Sequence, residues 1–394
     1  MLILHKCHLV GMLRPNYQDA SIVNLMGSIA EKFGSCATYS PLKDFRFDDS
    51  TRSVLLIVLD GVGYEIIKNM ERATFLKRHM KDQMTSVFPS TTSASLTSFG
   101  TGVAPQQHGI TGWFVYLKEL GVISKVLPFS PRYCDEPFST YGIDPSIVFS
   151  CPPFIDSLPV ESYYITRDVF ACSDFTRSVA GSAHIVPYSC FEGFVDAIES
   201  TVSLSSCPKY IYAYWPYFDT LGHLKGLGDE HTMRHLQEID SKLGALFERL
   251  EGQGISVVVT ADHGMIDVAG DSRVVLGDHE TLKSSLVMPL SGEARGPYCY
   301  VRPSRVDAFE RYVESELSQY CDLVKSGDMV DSGLFGLGEA NAKLYDRIGD
   351  YTLVMKDSYV MLDALEGESI TNMKGFHGGL SRAEVAVPLI HMTL

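Results

Sequence analysis

No stretch of the 394-residue chain approaches the roughly 18 consecutive apolar residues needed to cross a bilayer, which argues against an integral membrane protein. Basic residues are in deficit. The 33 Lys and Arg against 48 Asp and Glu leave a formal charge of −15, which repels polyanions at long range and speaks against coating nucleic acid. A small phosphorylated substrate remains admissible, because bound cations invert the field inside one pocket. The nine cysteines (Cys7, Cys36, Cys134, Cys151, Cys172, Cys190, Cys207, Cys299 and Cys321) lack any CxxC pair or framework spacing, so free thiols in a reducing compartment are expected. The opening MLILHKCHLVGMLRPNY lacks a continuous apolar signal region, being broken by His5, Lys6 and His8. A cytoplasmic location is therefore the expectation. Repeats, low-complexity tracts and long charge blocks are also missing, which leaves function to sites on a compact fold.

What is present is an ordinary globular composition, 45% hydrophobic and 21% charged, in a chain longer than one usual core. One catalytic domain spanning 1–394 is expected, carrying at 113–145 an aromatic-, Pro- and Gly-rich segment that reads as an irregular insertion or a hairpin, and an inserted α/β cap at 291–360. Residues 18–33 have helical periodicity. SVLLIVLDG (53–61), YIYAYW (210–215) and ISVVVTAD (255–262) are β-branched or aromatic apolar runs, the pattern of strands buried on both faces of a parallel sheet. Between the last two, 229–252 reads as an amphipathic helix with Met233, Leu236, Ile239, Leu243 and Leu246 on its apolar stripe. Strand, helix, strand makes a βαβ unit. The fold class is therefore α/β, with a mainly parallel central sheet and helices on both faces. Ligands in such sheets bind beyond the carboxyl ends of the strands, where Asp60 and Asp262 fall.

Six potential metal ligands recur in four short motifs: LDG with Asp60, FDTLGH with Asp219 and His223, ADHG with Asp262 and His263, and FHGG with His377. A lone Asp-Gly is usually a turn, and an i, i+4 Asp/His pair is usually a solvated helix face. Asp262 and His263, adjacent at the end of a buried strand, are harder to dismiss, since burying both unpaired is costly. A fifth motif, VFPSTTSASLTSFGTG (87–102), places Thr91, Thr92 and Ser93 at the start of a small-residue helix, whose free amides and dipole suit a phosphoryl group. Taken alone, such residues are more often N-caps.

The ordered set LDG, FPSTTSASLTSFGTGVAPQQHGI, PYFDTLGH, ADHGM and GFHGG resembles the alkaline phosphatase superfamily, and within it the type I phosphodiesterases and nucleotide pyrophosphatases. The resemblance implies two divalent metal ions, zinc first and manganese or iron as alternatives. Asp219, His223 and His377 would hold one, while Asp60, Asp262 and His263 would hold the other, which also binds the nucleophile. Thr92 falls on the family's nucleophile position, and Thr91 is its one-residue alternative and a substrate-binding candidate. The implied chemistry is hydrolysis of a phosphate ester or phosphoanhydride through a phosphothreonine intermediate, with a small phosphorylated substrate such as a nucleotide.

The family pattern continues with Phe-Pro-Asn-His, where this chain has Ser93, Ala94, Ser95 and Leu96. Ser95 thus replaces an asparagine expected to donate to a phosphate oxygen, and offers only a shorter hydroxyl. Phosphomonoesterase and phosphonate hydrolase therefore stay open as alternatives, with a noncatalytic binding protein on the same fold as the remote one. A monoesterase usually needs an extra cation, for which Lys118 and Arg132 are the nearby candidates. Trp113, Phe114, Tyr116, Tyr217 and Phe218 are available to stack on a flat leaving group, although such clusters are more often core. His108 reads as structural, His279 as spare, and His231 and His235 as solvated on the 229–252 helix.

Overall fold

A computed structural model describes residues 11–70, 74–366, 368 and 372–394 of the chain. Its centre is a seven-stranded sheet: β1 (Ser53–Leu59), β2 (Met80–Thr85), β3 (Glu161–Arg167), β4 (His184–Tyr188), β5 (Lys209–Trp215), β6 (Ile255–Thr260) and β7 (Ala386–Thr393). Across the sheet the order is β2-β7-β6-β1-β5-β3-β4. The run from β6 to β4 is parallel throughout, and β7 is antiparallel to both of its neighbours. The sheet is thus mainly parallel, as the apolar runs require. Every residue of β5 and β6 is buried, because helices and loops cover both faces and leave no solvated side to carry alternating polar residues.

Four helices pack around this sheet near the ligand motifs: α1 (Ile22–Lys32), α2 (Thr92–Thr101), α3 (Tyr217–Lys225) and α4 (Glu230–Arg249). The chain passes from β5 through α3 and α4 to β6. The amphipathic stripe of α4 is buried at Leu236, Ile239, Leu243 and Leu246. His235 departs from the sequence expectation: it lies on the buried side of α4, and its Nε2 accepts the Trp215 indole N–H at 2.9 Å. The large indole at the end of β5 reaches beyond the aliphatic stripe and encloses this ring. His231, by contrast, is exposed.

A second seven-stranded sheet is antiparallel throughout. Its order is 321–325, 351–355, 296–299, 291–293, 114–117, 122–125 and 130–131. Two stretches separated by more than 150 residues, one around 114–131 and one around 291–355, thus share one sheet. Among the described residues no helix is long and apolar enough to cross a membrane.

The two sheets are tied together by Arg295. Its guanidinium makes a two-pronged pair with Glu384, Nε to Oε1 at 3.1 Å and Nη2 to Oε2 at 2.9 Å, and both side chains are essentially sealed from solvent. Glu384 also accepts the Gly379 N–H at 2.8 Å, just past His377. Removing one partner of such a pair strands a buried charge, so Arg295→Ala is expected to lower unfolding free energy by about 3–5 kcal/mol, measured by urea denaturation. A loss under about 1 kcal/mol would show that water replaces the guanidinium at no great cost.

Candidate metal centre and nucleophile

The site grows from the adjacency of β1, β5 and β6. Asp60 follows β1 directly, and its amide donates to the Trp215 carbonyl at 2.9 Å. Asp262 and His263 lie just past β6. The Asp-Gly turn at Gly61 has φ +73, and a Cβ there would meet the Asp219 backbone at 3.1 Å. Glycine is thus required both by the left-handed turn and by the approach of α3. That approach brings Asp219 and His223, one turn apart on α3, to the same sheet edge. His377 follows the two-residue strand Gly375–Phe376, which pairs with Ile266–Asp267.

All six side chains converge. His263 Nε2 lies 3.4 Å from Asp60 Oδ1 and 3.3 Å from Asp262 Oδ2. His223 Nε2 lies 3.3 Å from Asp219 Oδ2 and 3.2 Å from His377 Nε2, while His377 Nε2 is 3.8 Å from Asp219 Oδ1. Two groupings fit one ion each: Asp60 with Asp262 and His263, and Asp219 with His263 and His377. The first coincides with the set the family resemblance implies. In the second, His263 stands beside Asp219 and His377, with His223 adjoining through both of them.

Three observations test whether these residues suit cations. The Nδ1 atoms of His223, His263 and His377 each face a backbone carbonyl, of Gly375 at 2.8 Å, Gly264 at 3.0 Å and Ser90 at 3.2 Å. A carbonyl only accepts, so Nδ1 carries the proton and Nε2 presents its lone pair to the centre. Asp60 Oδ1, Asp219 Oδ1 and Asp262 Oδ2 are buried without a hydrogen-bond partner among the described residues. Three lone-pair nitrogens and three orphaned carboxylate oxygens facing one another are repulsive unless positive charge lies among them. Burial, then the charges of Asp262 and Asp219, push the Asp60 carboxyl well above its ordinary range, whereas Asp219, which burial alone would raise, is drawn below its own range by His223, His377 and His263. Burial also raises Asp262. The residues therefore fit divalent cations, and the nitrogen and oxygen mix suits zinc, manganese or iron.

The other carboxylate oxygens of Asp60 and Asp262 are held by groups that sequence reading missed. Tyr214 O–H donates to Asp60 Oδ2, and the Gly61 and His263 amides donate to Asp262 Oδ1 at 3.1 and 3.0 Å. Tyr214 stands in an all-buried strand, where only the register of β5 against β1 aims its hydroxyl at Asp60.

Thr92 is the first residue of α2, and its Oγ1 lies 3.1 Å from His263 Nε2. The N-cap is Thr91, but its hydroxyl does not cap the helix; it donates to Glu293 Oε1 at 2.6 Å. The amides of the first turn of α2 are thereby left without a side-chain cap. Ser95 is not brought into the site: it is fully buried, with its hydroxyl 3.0 Å from Ser86 Oγ. His108 is buried beneath α2, accepting the Ile110 amide at Nδ1 and meeting Ser98 Oγ at Nε2, both at 3.0 Å. Burial and the Arg347 charge depress it to about 3, so it is a neutral structural histidine.

Beside the cluster opens a cavity of about 690 Å³. Thr91, Thr92, Asp219, His223, Glu293 and His377 form its polar end, and Trp113, Phe114, Leu290, Pro297, Met361 and Phe376 are among its apolar walls. Of the aromatic candidates, Trp113 and Phe114 line it, Phe218 is core, Tyr116 packs edge-on against Tyr300, and Tyr217 is largely exposed. Arg132 also lines it, with its guanidinium given to Glu368 and to the Leu290 and Asp363 carbonyls. Lys118 is exposed and paired with Asp346. Glu293 had no sequence signal. It follows no motif, and the second sheet alone brings it to Thr91.

The chain belongs to the type I phosphodiesterase / nucleotide pyrophosphatase family, whose sequence profile matches residues 54–380, and so to a family of hydrolases of the phosphodiesterase and pyrophosphatase type. The search of curated proteins gives no sequence match. Among solved structures, murine ectonucleotide pyrophosphatase / phosphodiesterase 5, as an inactive threonine-to-alanine variant in complex with AMP, is similar at TM-score 0.64 and 17% identity, over 86% of this chain and 87% of that one. The human protein of that name gives 0.62 and 15%, with the same coverages. Phosphonoacetate hydrolase from Sinorhizobium meliloti 1021, in complex with phosphonoformate, gives 0.60 and 19%, over 86% of this chain and 90% of that one. At these identities the likeness is one of fold, the alkaline phosphatase-like α/β architecture.

Proposed function

We propose that the protein is a two-metal nucleotide pyrophosphatase or phosphodiesterase that works through a phosphothreonine formed on Thr92. The observation that carries this reading is the position of the Thr92 hydroxyl, at the uncapped start of α2 and 3.1 Å from a lone-pair nitrogen of the ligand cluster. Asp60, Asp262 and His263 would hold one cation and Asp219, His223 and His377 the other, zinc being favoured with manganese or iron as alternatives. When bound, the cations supply Lewis acidity that makes a hydroxyl nucleophilic at neutral pH and offsets charge on the phosphoryl oxygens.

The Thr92 oxygen attacks phosphorus, its bond to phosphorus forms as the bond to the leaving oxygen breaks, and water later cleaves the phosphothreonine ester. The free amides of the first turn of α2 meet the phosphoryl oxygens. The leaving group lies in the cavity against Trp113 and Phe114, under a cap formed by residues 291–360 and joined by the 113–145 insertion. The AMP bound by the murine protein and its inactive threonine variant support a nucleotide substrate and a threonine nucleophile.

A phosphonate hydrolase or phosphomonoesterase is the second reading, favoured by the loss of the asparagine position, where Ser95 is turned into the protein interior. Steady-state hydrolysis of a matched aryl phosphate monoester and aryl nucleotide phosphodiester, with zinc or manganese supplied, separates the two. A diester preference of at least about tenfold, near 1.4 kcal/mol of transition-state discrimination, is expected; the reverse preference would keep the nucleophile and replace the substrate class.

A further inference from the structure

Glu293 ends the strand Ser291–Glu293 and lines the polar end of the cavity together with Thr91, Thr92 and the ligand cluster. Among the described residues both of its hydrogen bonds use one oxygen: Oε1 accepts from Thr91 Oγ1 and from the Trp113 amide, each at 2.6 Å. The residue is part-exposed, so Oε2 is the oxygen left for whatever fills the cavity. Arg132 is the one Lys or Arg among the described residues of the lining, and its donors are already committed to Glu368 and to two carbonyls. A phosphoryl group beside Thr92 therefore meets a carboxyl that, once ionised, only accepts, with no free guanidinium or ammonium from this wall.

We infer that Glu293 is a specificity-determining residue, selecting a phosphoryl group with one negative charge over one with two. The inference rests on the phosphate-ester reading above and names the substrate class within it. A diester keeps one charge at any pH above the acid range, whereas a monoester or free phosphonate acquires a second near neutrality. The extra charge is repelled by the carboxylate across a cavity whose apolar walls screen it poorly.

Glu293→Gln removes the charge and keeps an oxygen to accept from Thr91 and Trp113. The test titrates the metal-loaded full chain with two probes that carry no ester bond, the dianion phenylphosphonate and the monoanion methyl(phenyl)phosphinate. The pH is set mildly alkaline, where the first is a dianion and a carboxyl that burial raises is still ionised. In Glu293→Gln the affinity for the dianion is expected to rise at least about tenfold relative to the phosphinate, while Glu293→Asp keeps the wild-type ratio. An unchanged ratio in a Glu293→Gln protein with wild-type metal content overturns the inference. Glu293→Ala guards against misfolding: there too the ratio must shift, and equal weakening of both probes would mean that Glu293 only holds Thr91 in place. Turnover of aryl diester by the wild type is measured alongside. Its absence would defeat the functional reading, while the binding ratio still decides the role of Glu293.

Discussion

Thr92→Ala is expected to lower kcat on the preferred aryl ester by on the order of 10⁴-fold or more, leaving fold and metal content unchanged. The size follows from deleting the one atom that would bond to phosphorus. The specificity follows from local structure. Thr92 opens α2 but does not cap it, and alanine is the best helix former, so the helix survives the change. The hydroxyl of Thr91 is given to Glu293 at 2.6 Å, which makes it a poor substitute nucleophile, and Thr91→Ala should cost far less. Circular dichroism, elemental metal analysis and steady-state kinetics on both variants decide the matter. If Thr92→Ala retains activity within about tenfold of wild type, the nucleophile is elsewhere.

Chelation is expected to abolish turnover and to lower the melting temperature, with both restored by zinc or manganese. The reason lies in the candidate ligands themselves, since Asp60, Asp219 and Asp262 bury carboxylate oxygens that find no hydrogen-bond donor among the described residues. Cations at about 1,000 times their dissociation constant would add roughly 4 kcal/mol to the folded state. A sharper version uses Asp262→Asn. In the chelated protein this change removes one of the charges that push Asp60 upward, so it should stabilise the fold; in the metal-supplied protein it should be less stable than wild type, because a ligand is lost. Such a reversal of sign, read by thermal melts with and without chelator, is hard to obtain from a purely structural aspartate. A melting temperature indifferent to chelator and to added metal would sink the two-metal reading.

The order of the central strands along the chain, and their burial on both faces, were legible in the sequence because the runs 53–59, 210–215 and 255–260 have no polar alternation for a solvated face. Asp60, Asp262 and His263 stood out for a related reason: polar side chains directly after such runs lie at the carboxyl edge of a parallel sheet. Asp219, His223 and His377 were legible through the family motifs, and the fold brings them to the same edge because β1, β5 and β6 are neighbours.

What sequence could not supply depends on contacts between distant segments. Tyr214 looks like any other residue of a buried strand until the register of β5 on β1 aims it at Asp60. His235 fell on the polar side of a helical pattern, yet one indole from the preceding strand buries it. Glu293, Trp113 and Arg132 share a cavity only because strands near 114–131 and 291–299 pair in one antiparallel sheet, and sequence periodicity carries no signal for a partner more than 150 residues away. Local pattern determined the chemistry of the candidate ligands and the sheet that carries them; tertiary pairing alone decided which charged side chains line the cavity beside them.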